Sequence, residues 1–293
     1  MHKPDSPPDG GAAAPGPGDC RPVETIAGSP AAGIVILCDH ASNEIPAPYA
    51  ALGLTPADLA RHIAWDIGAA QVARGLAARL GAPAVLARFS RLLIDANRGA
   101  DDPTLVMRLS DGRIIPGNAR IDDAEIARRR LIYWQPYRHA VGATIEAMMA
   151  AGIVPAVLSI HSFTPVFKGI TRPWQAAILW DSDSRLAAPL IAGLRAEGLT
   201  VGDNEPYDGA LAGDTLDGEV TRRGLAGCLV EIRQDLVADA QQTALWADRL
   251  ARLLAPVLKS AALHRCTFSP SRTGRHGTGG PPPAEQRAKR TAE

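Results

Sequence analysis

Three short apolar runs end in residues able to move protons or bind a metal. Asp39-His40 follows Ile34–Cys38, His161-Ser162 follows Ala156–Ile160, and Glu231-x-Arg233 closes Cys228–Ile232. Imidazole nitrogens plus one carboxylate suit zinc with an open fourth position. The third ligand is either Glu44 or Asp66. Glu44 lies in a loop four residues after His40, where Ile45-Pro46 also fits a turn. Asp66 follows Ile63-Ala64-Trp65, and a carboxylate beside apolar residues needs a partner. Its simpler reading is an N-cap for a helix over 67–80. The stretch from Arg88 to Gly99 places Arg88, Arg91, Arg98 and Asn97 around one short segment. A guanidinium is a planar fork matched to carboxylates, although Arg98 with Asp95 or Asp101 is an equally simple loop-fixing ion pair.

The elements that must position these groups alternate. Runs rich in β-branched residues at 34–38, 84–89, 92–95, 156–160, 176–180, 199–202 and 227–233 read as strands, several buried on both faces. Helical patterns fill 67–80, 122–150 (kinked or split at Pro136), 183–197 and 238–258, and Thr55-Pro56 starts a short helix. This predicts an α/β chain, three-layer α/β/α, with a mostly parallel or mixed sheet. Ligands in such folds bind outside the carboxyl ends of strands, where the candidate residues fall.

Composition narrows the classes. The chain has 293 residues, 31 Lys+Arg against 31 Asp+Glu, and 46 % hydrophobic residues. Zero net charge argues against a polyanion partner, so no nucleic acid is expected. No apolar run reaches the ~20 residues of a membrane helix, and the first residues lack the apolar region of a secretory signal. A cytoplasmic protein is expected. The four cysteines, Cys20, Cys38, Cys228 and Cys266, form no CxxC pair, so reduced thiols and no cysteine-held metal are expected. Residues 1–30 hold seven Pro and five Gly, and 263–293 form a second, mildly basic block. Both read as disordered tails around one domain at 31–262. No phosphate-binding glycine motif occurs.

Six ordered motifs resemble the N-formylglutamate amidohydrolase family. They are Asp39-His40-Ala41-Ser42-Asn43-x-Ile45-Pro46, His62-Ile63-Ala64-Trp65-Asp66-Ile67-Gly68-Ala69, Ser90-Arg91-Leu92-x-Ile94-Asp95-x-Asn97-Arg98, Ser159-Ile160-His161-Ser162-Phe163-Thr164-Pro165, Gly202-Asp203-Asn204-Glu205-Pro206-Tyr207 and Glu231-Ile232-Arg233-Gln234-Asp235-Leu236. The resemblance implies a phosphorylase/hydrolase-like fold and a hydrolase holding one zinc ion (Zn2+), related to zinc carboxypeptidases and aspartoacylases. It implies cleavage of N-formyl-L-glutamate to formate and glutamate in histidine degradation. Carried over by motif, His40, His161 and Asp66 are metal ligands, with Glu44 the alternative acid. Glu231 is the general base and acid. Arg91 (or Arg88) stabilises the oxyanion. Asn97 and Arg98 hold a substrate carboxylate, with Arg88 and Glu205 as further substrate contacts.

One departure stands out. Family members often carry a histidine near the position of Glu219, and here no histidine lies between His161 and His264. The rival expectations are therefore a deacylase or carboxypeptidase-like hydrolase of another N-acyl amino acid or peptide, or a catalytically degenerate binding protein.

Overall fold

The computed structural model describes residues 21–276. Among these, the main sheet takes seven strands: β1 (Val23–Ile26), β2 (Ile34–Cys38), β3 (Ala84–Ala87), β6 (Ala156–Phe163), β9 (Ala176–Leu179), β10 (Val201–Asp203) and β11 (Gly227–Arg233). Two small hairpins stand apart from it, β4 (Leu109–Ser110) with β5 (Arg113–Ile114) and β7 (Val166–Phe167) with β8 (Ile170–Thr171). The order is β1-β3-β2-β6-β11-β9-β10. The central run β3, β2, β6 and β11 is parallel, whereas β1 pairs antiparallel with β3 and β9 antiparallel with β11. The sheet is thus mixed.

Side-chain alternation makes the layers. Ile34, Ile36, Leu158, Ile160, Cys228 and Val230 face one side and pack with α2 (Ala69–Leu80), α5 (Ala187–Ala196) and α7 (Ala240–Val257). Val35, Leu37, Val85, Val157 and Leu229 face the other side. They pack with Tyr137, Val141 and Ile145 of α4 (Gln135–Ala150) and with the buried loop around Leu92–Ile94. With both faces covered, the central strands carry apolar residues at successive positions. Short helices α1 (Pro56–Leu59), α3 (Asp123–Arg129) and α6 (Thr215–Glu219) complete the set.

Several sequence expectations change. Residues 92–95 are not a strand. The Ser90 carbonyl accepts from Leu93 N–H and the Ser90 hydroxyl from Leu92 N–H, which bends the chain into a buried turn whose apolar content mimics a strand. The 122–150 stretch runs as α3, a π-helical turn over Arg130–Trp134, then α4. Pro136 follows directly on that π-helical turn, whose altered bonding accommodates its missing N–H inside a continuous helical stretch. Parts of both expected tails belong to the fold. Residues 23–26 form the edge strand β1, since Val-Glu-Thr-Ile finds a partner in β3 despite the Pro and Gly around it. After α7, Leu263 is buried and the His264 ring bridges the carbonyls of Val154 and Leu258. Arg272 then grips Asp208 through both terminal nitrogens at 2.9 and 2.7 Å, Arg275 reaches Asp101 at 2.8 Å, and His276 reaches Asp217 at 3.0 Å. The rest of the two expected tails, 1–20 and 277–293, lies outside the described residues. Among the described residues no helix is long and apolar enough to cross a membrane.

Candidate active site

His40 leaves β2 at its carboxyl end, and His161 and Glu231 sit side by side as register partners in the β6–β11 ladder. The odd positions of β6 and β11 face the α4 side, so Ser159, His161, Leu229 and Glu231 share one face. Asp66 arrives from the loop before α2. Its N–H donates to the His40 carbonyl at 3.0 Å, which fixes the loop against the strand end. The expected N-cap role goes to Gly68 instead. Gly68 has φ +80°, and a Cβ there would lie 2.3 Å from the Val237 carbonyl oxygen, so only glycine fits the entry to α2.

His40, Asp66 and His161 each offer a ligand atom, all within 4.8 Å of one another, and each residue is at most 3 % exposed. The tautomers follow from the outer partners. Nε2 of His40 is 2.7 Å from Asp95 Oδ1, and Nε2 of His161 is 2.9 Å from Asp39 Oδ2. With those nitrogens donating to carboxylates, both Nδ1 atoms turn toward Asp66 Oδ2, at 3.4 Å from His40 and 2.8 Å from His161. The two rings meet edge to face with centroids 4.9 Å apart. His40 Nδ1 is buried without a hydrogen-bond partner. An orphaned imidazole nitrogen, a second aligned imidazole and a carboxylate form a donor set that fits zinc. In the metal-free protein, burial works against the charged form of His161, but its bonds to Asp39 and Asp66 outweigh this and push it up to about 10. Asp66 shows the converse. Burial would raise it, yet His40 and His161 hold it well below the usual carboxylate range.

Asp39 is a hub. Besides His161, it accepts from Tyr137 Oη at 3.0 Å, from Ser159 Oγ at 2.6 Å and from the Thr215 hydroxyl. Burial acts to raise its pKa, but the His161 bond and the imidazole charges hold it low, so it stays a carboxylate. Arg91 pairs with Asp95 at 3.0 Å and with Asp66 at 3.5 Å, and its Nε is buried without a partner. Glu231 is 7 % exposed with Oε2 unpartnered. Burial and the Asp66 charge push it up to about 7, against the opposing pull of His161, His40 and Arg91. A carboxyl poised near neutrality beside two imidazoles suits proton transfer in both directions.

These groups open onto a cleft of about 440 Å³, lined also by Asn97 and Arg98. Thr215 N–H holds Asn97 Oδ1 at 3.0 Å, and the Arg98 guanidinium rests on Thr104 Oγ1 and the Asn97 carbonyl. Three expected residues lie elsewhere. Glu44 is exposed and outside the His40–Asp66–His161 cluster; its carbonyl accepts from Ser90 N–H, which turns the loop away. Arg88 does not line the cleft. It follows β3 at the β1 edge, where its N–H donates to the Pro22 carbonyl. Glu205 is exposed; Asn204 Oδ1 ties its loop to Trp180 N–H and Gly209 N–H, and this turns Tyr207 and Asp208, not Glu205, to the cleft. The cleft is also lined by His62, Arg172, Tyr207, Asp214 and Gln234, to which the sequence reading gives no role. His62, Tyr207 and Gln234 fall within the quoted motifs, whereas Arg172 and Asp214 stand outside them.

The N-formylglutamate amidohydrolase family model matches residues 32–238. Gene product Atu2144 from Agrobacterium tumefaciens is 38 % identical, with TM-score 0.77 over 83 % of this chain and 97 % of that one. N-formylglutamate amidohydrolase from Ralstonia eutropha JMP134 is 21 % identical, with TM-score 0.61 over 82 % of this chain and 98 % of that one. Comparison with the curated proteins finds no match.

Proposed function

Because the chain belongs to the N-formylglutamate amidohydrolase family and is thus a hydrolase of non-peptide carbon–nitrogen bonds, we propose that it is a zinc-dependent enzyme releasing formate from N-formyl-L-glutamate. The observation that carries this reading is the convergence of two carboxylate-anchored imidazoles and Asp66 beside Glu231, whose Oε2 has no partner. His40, His161 and Asp66 would hold the ion. When bound, zinc supplies Lewis acidity, bringing the pKa of water to roughly 7 and polarising the amide carbonyl.

The chain's own residues do the rest. Glu231 takes one proton from the attacking water. The second water proton leaves with the formate product, and Glu231 passes its own proton to the departing nitrogen as the carbon–nitrogen bond breaks. Arg91, with a free Nε donor, stabilises negative charge as it develops on the carbonyl oxygen. Asn97 and Arg98 grip a carboxylate of the amino-acid half. A soluble cytoplasmic enzyme of histidine degradation follows from the same reading, as does a domain flanked by tails at each end.

Metal analysis of the purified protein with formate release from N-formyl-L-glutamate is the test. Stoichiometric zinc and turnover abolished by chelation are expected. No bound zinc and no activity after zinc addition would sink the proposal.

A further inference from the structure

Among the described residues, Arg172 is the one cleft-lining cation whose guanidinium lies over aromatic rings. The hairpin β7–β8 begins just after the strand that carries His161, and Arg172 N–H closes its foot on the Pro165 carbonyl at 2.8 Å. The hairpin thus returns the chain to the cleft. There the guanidinium carbon lies 4.8 Å from the Phe167 ring centre, 5.0 Å from Tyr207 and 5.7 Å from Phe163. The residue is 7 % exposed, and among the described residues no carboxylate stands within ion-pairing distance of it. Arg91, by contrast, already pairs with Asp66 and Asp95. Ring faces hold a guanidinium and shield it from water without cancelling its charge. A buried cation left in this state favours an incoming anion more strongly than one in water does.

We propose that Arg172 binds the second carboxylate of the substrate, opposite the one held by Asn97 and Arg98, and so selects dicarboxylic N-acyl amino acids over monocarboxylic ones. This rests on the reading of the cleft as an N-acyl amino acid site, and its test needs no turnover. Glutarate carries two carboxylates at the spacing of glutamate and butyrate carries one; neither has an amide to hydrolyse. Calorimetric binding of both is compared for the full-length protein and Arg172→Met.

Charge-assisted hydrogen bonds of this kind predict a loss of about 30-fold in glutarate affinity. Butyrate affinity falls by less than about threefold, since Arg98 still takes a single carboxylate. Arg172→Lys keeps the charge without the fork and should lie between the two, which serves if the methionine variant folds poorly. Unchanged glutarate affinity, or an equal fall for both ligands, overturns the assignment. Formate release from N-formyl-L-glutamate is scored separately. Its failure with the glutarate pattern intact removes the proposed reaction and leaves Arg172 in place.

Discussion

Asp39 and His161 are 122 positions apart in the chain and 2.9 Å apart in the fold. Asp39 owes its place to the polar end of β2, and the Tyr137, Ser159 and Thr215 hydroxyls fix its two oxygens. It therefore sets which nitrogen of His161 faces Asp66. Asp39→Asn should weaken zinc affinity about 10- to 100-fold, the usual cost of removing a carboxylate behind a ligating histidine. Competition with a chromogenic chelator measures this. Glu44→Ala is the control and should leave zinc affinity unaltered; a large loss there would restore Glu44 as the acidic ligand.

Glu231→Gln keeps the shape of the side chain and removes its proton-accepting charge. Turnover should fall by about 10²–10⁴-fold while zinc content stays at the wild-type level. Retained turnover means another group moves the proton.

Asp214 gives a pH signature. Burial pushes it up to about 7, against about 3.9 in an unfolded chain. Between those values the folded protein keeps a proton that the unfolded chain has lost. This group's contribution to stability is therefore full below about pH 4 and is lost as pH rises through about 7. Asp214→Asn can still accept from Asp217 N–H, a bond of 2.7 Å that starts α6, but carries no charge. The variant should match wild type near pH 3.5 and exceed it at pH 8 by about 1–4 kcal/mol. Denaturant melts at the two pH values decide it, and a variant less stable at pH 8 contradicts the assignment.

Arg272 ties the C-terminal segment to Asp208, Asp181 and the Trp180 carbonyl. Asp208 belongs to the loop that also places Tyr207 on the cleft. Arg272→Ala should raise amide exchange across 204–213 while melting temperature shifts by only a few degrees, about 1 kcal/mol or less for exposed ion pairs. Exchange confined to the variant's own segment would show that the loop holds itself.

What could be read from the sequence depended on how each signal is stored. The mixed sheet was legible because strands covered on both faces are nearly continuous apolar runs, as in Ile34–Cys38 and Ala156–Ile160. His40, His161 and Glu231 were visible as the polar breaks in those runs. The choice between Glu44 and Asp66 was not, because a backbone bond from Asp66 to His40 decides where the loop lies. Asp39 and Asp95 stand in the quoted motifs, but their roles come from pairings that cross 122 and 55 positions, which no local pattern shows. The cage around Arg172 draws rings from residues 163, 167 and 207. The strand expected at 92–95 failed because a buried turn needs the same apolar residues as a strand. Strand β1 was hidden by the prolines and glycines around it.

Helix α7 buries Trp246, Ala247, Leu250 and Leu254 in the same apolar layer as Val72, Ala73 and Leu76 of α2. The two helices lie far apart in the order of synthesis. A chain still growing at residue 230 has made every strand of the main sheet except the end of β11, yet that face is only partly covered, by α2 and α5, until α7 emerges. Closure of the apolar layer thus waits for α7, and a chain that has not yet reached it is the form most exposed to aggregation and most dependent on chaperones.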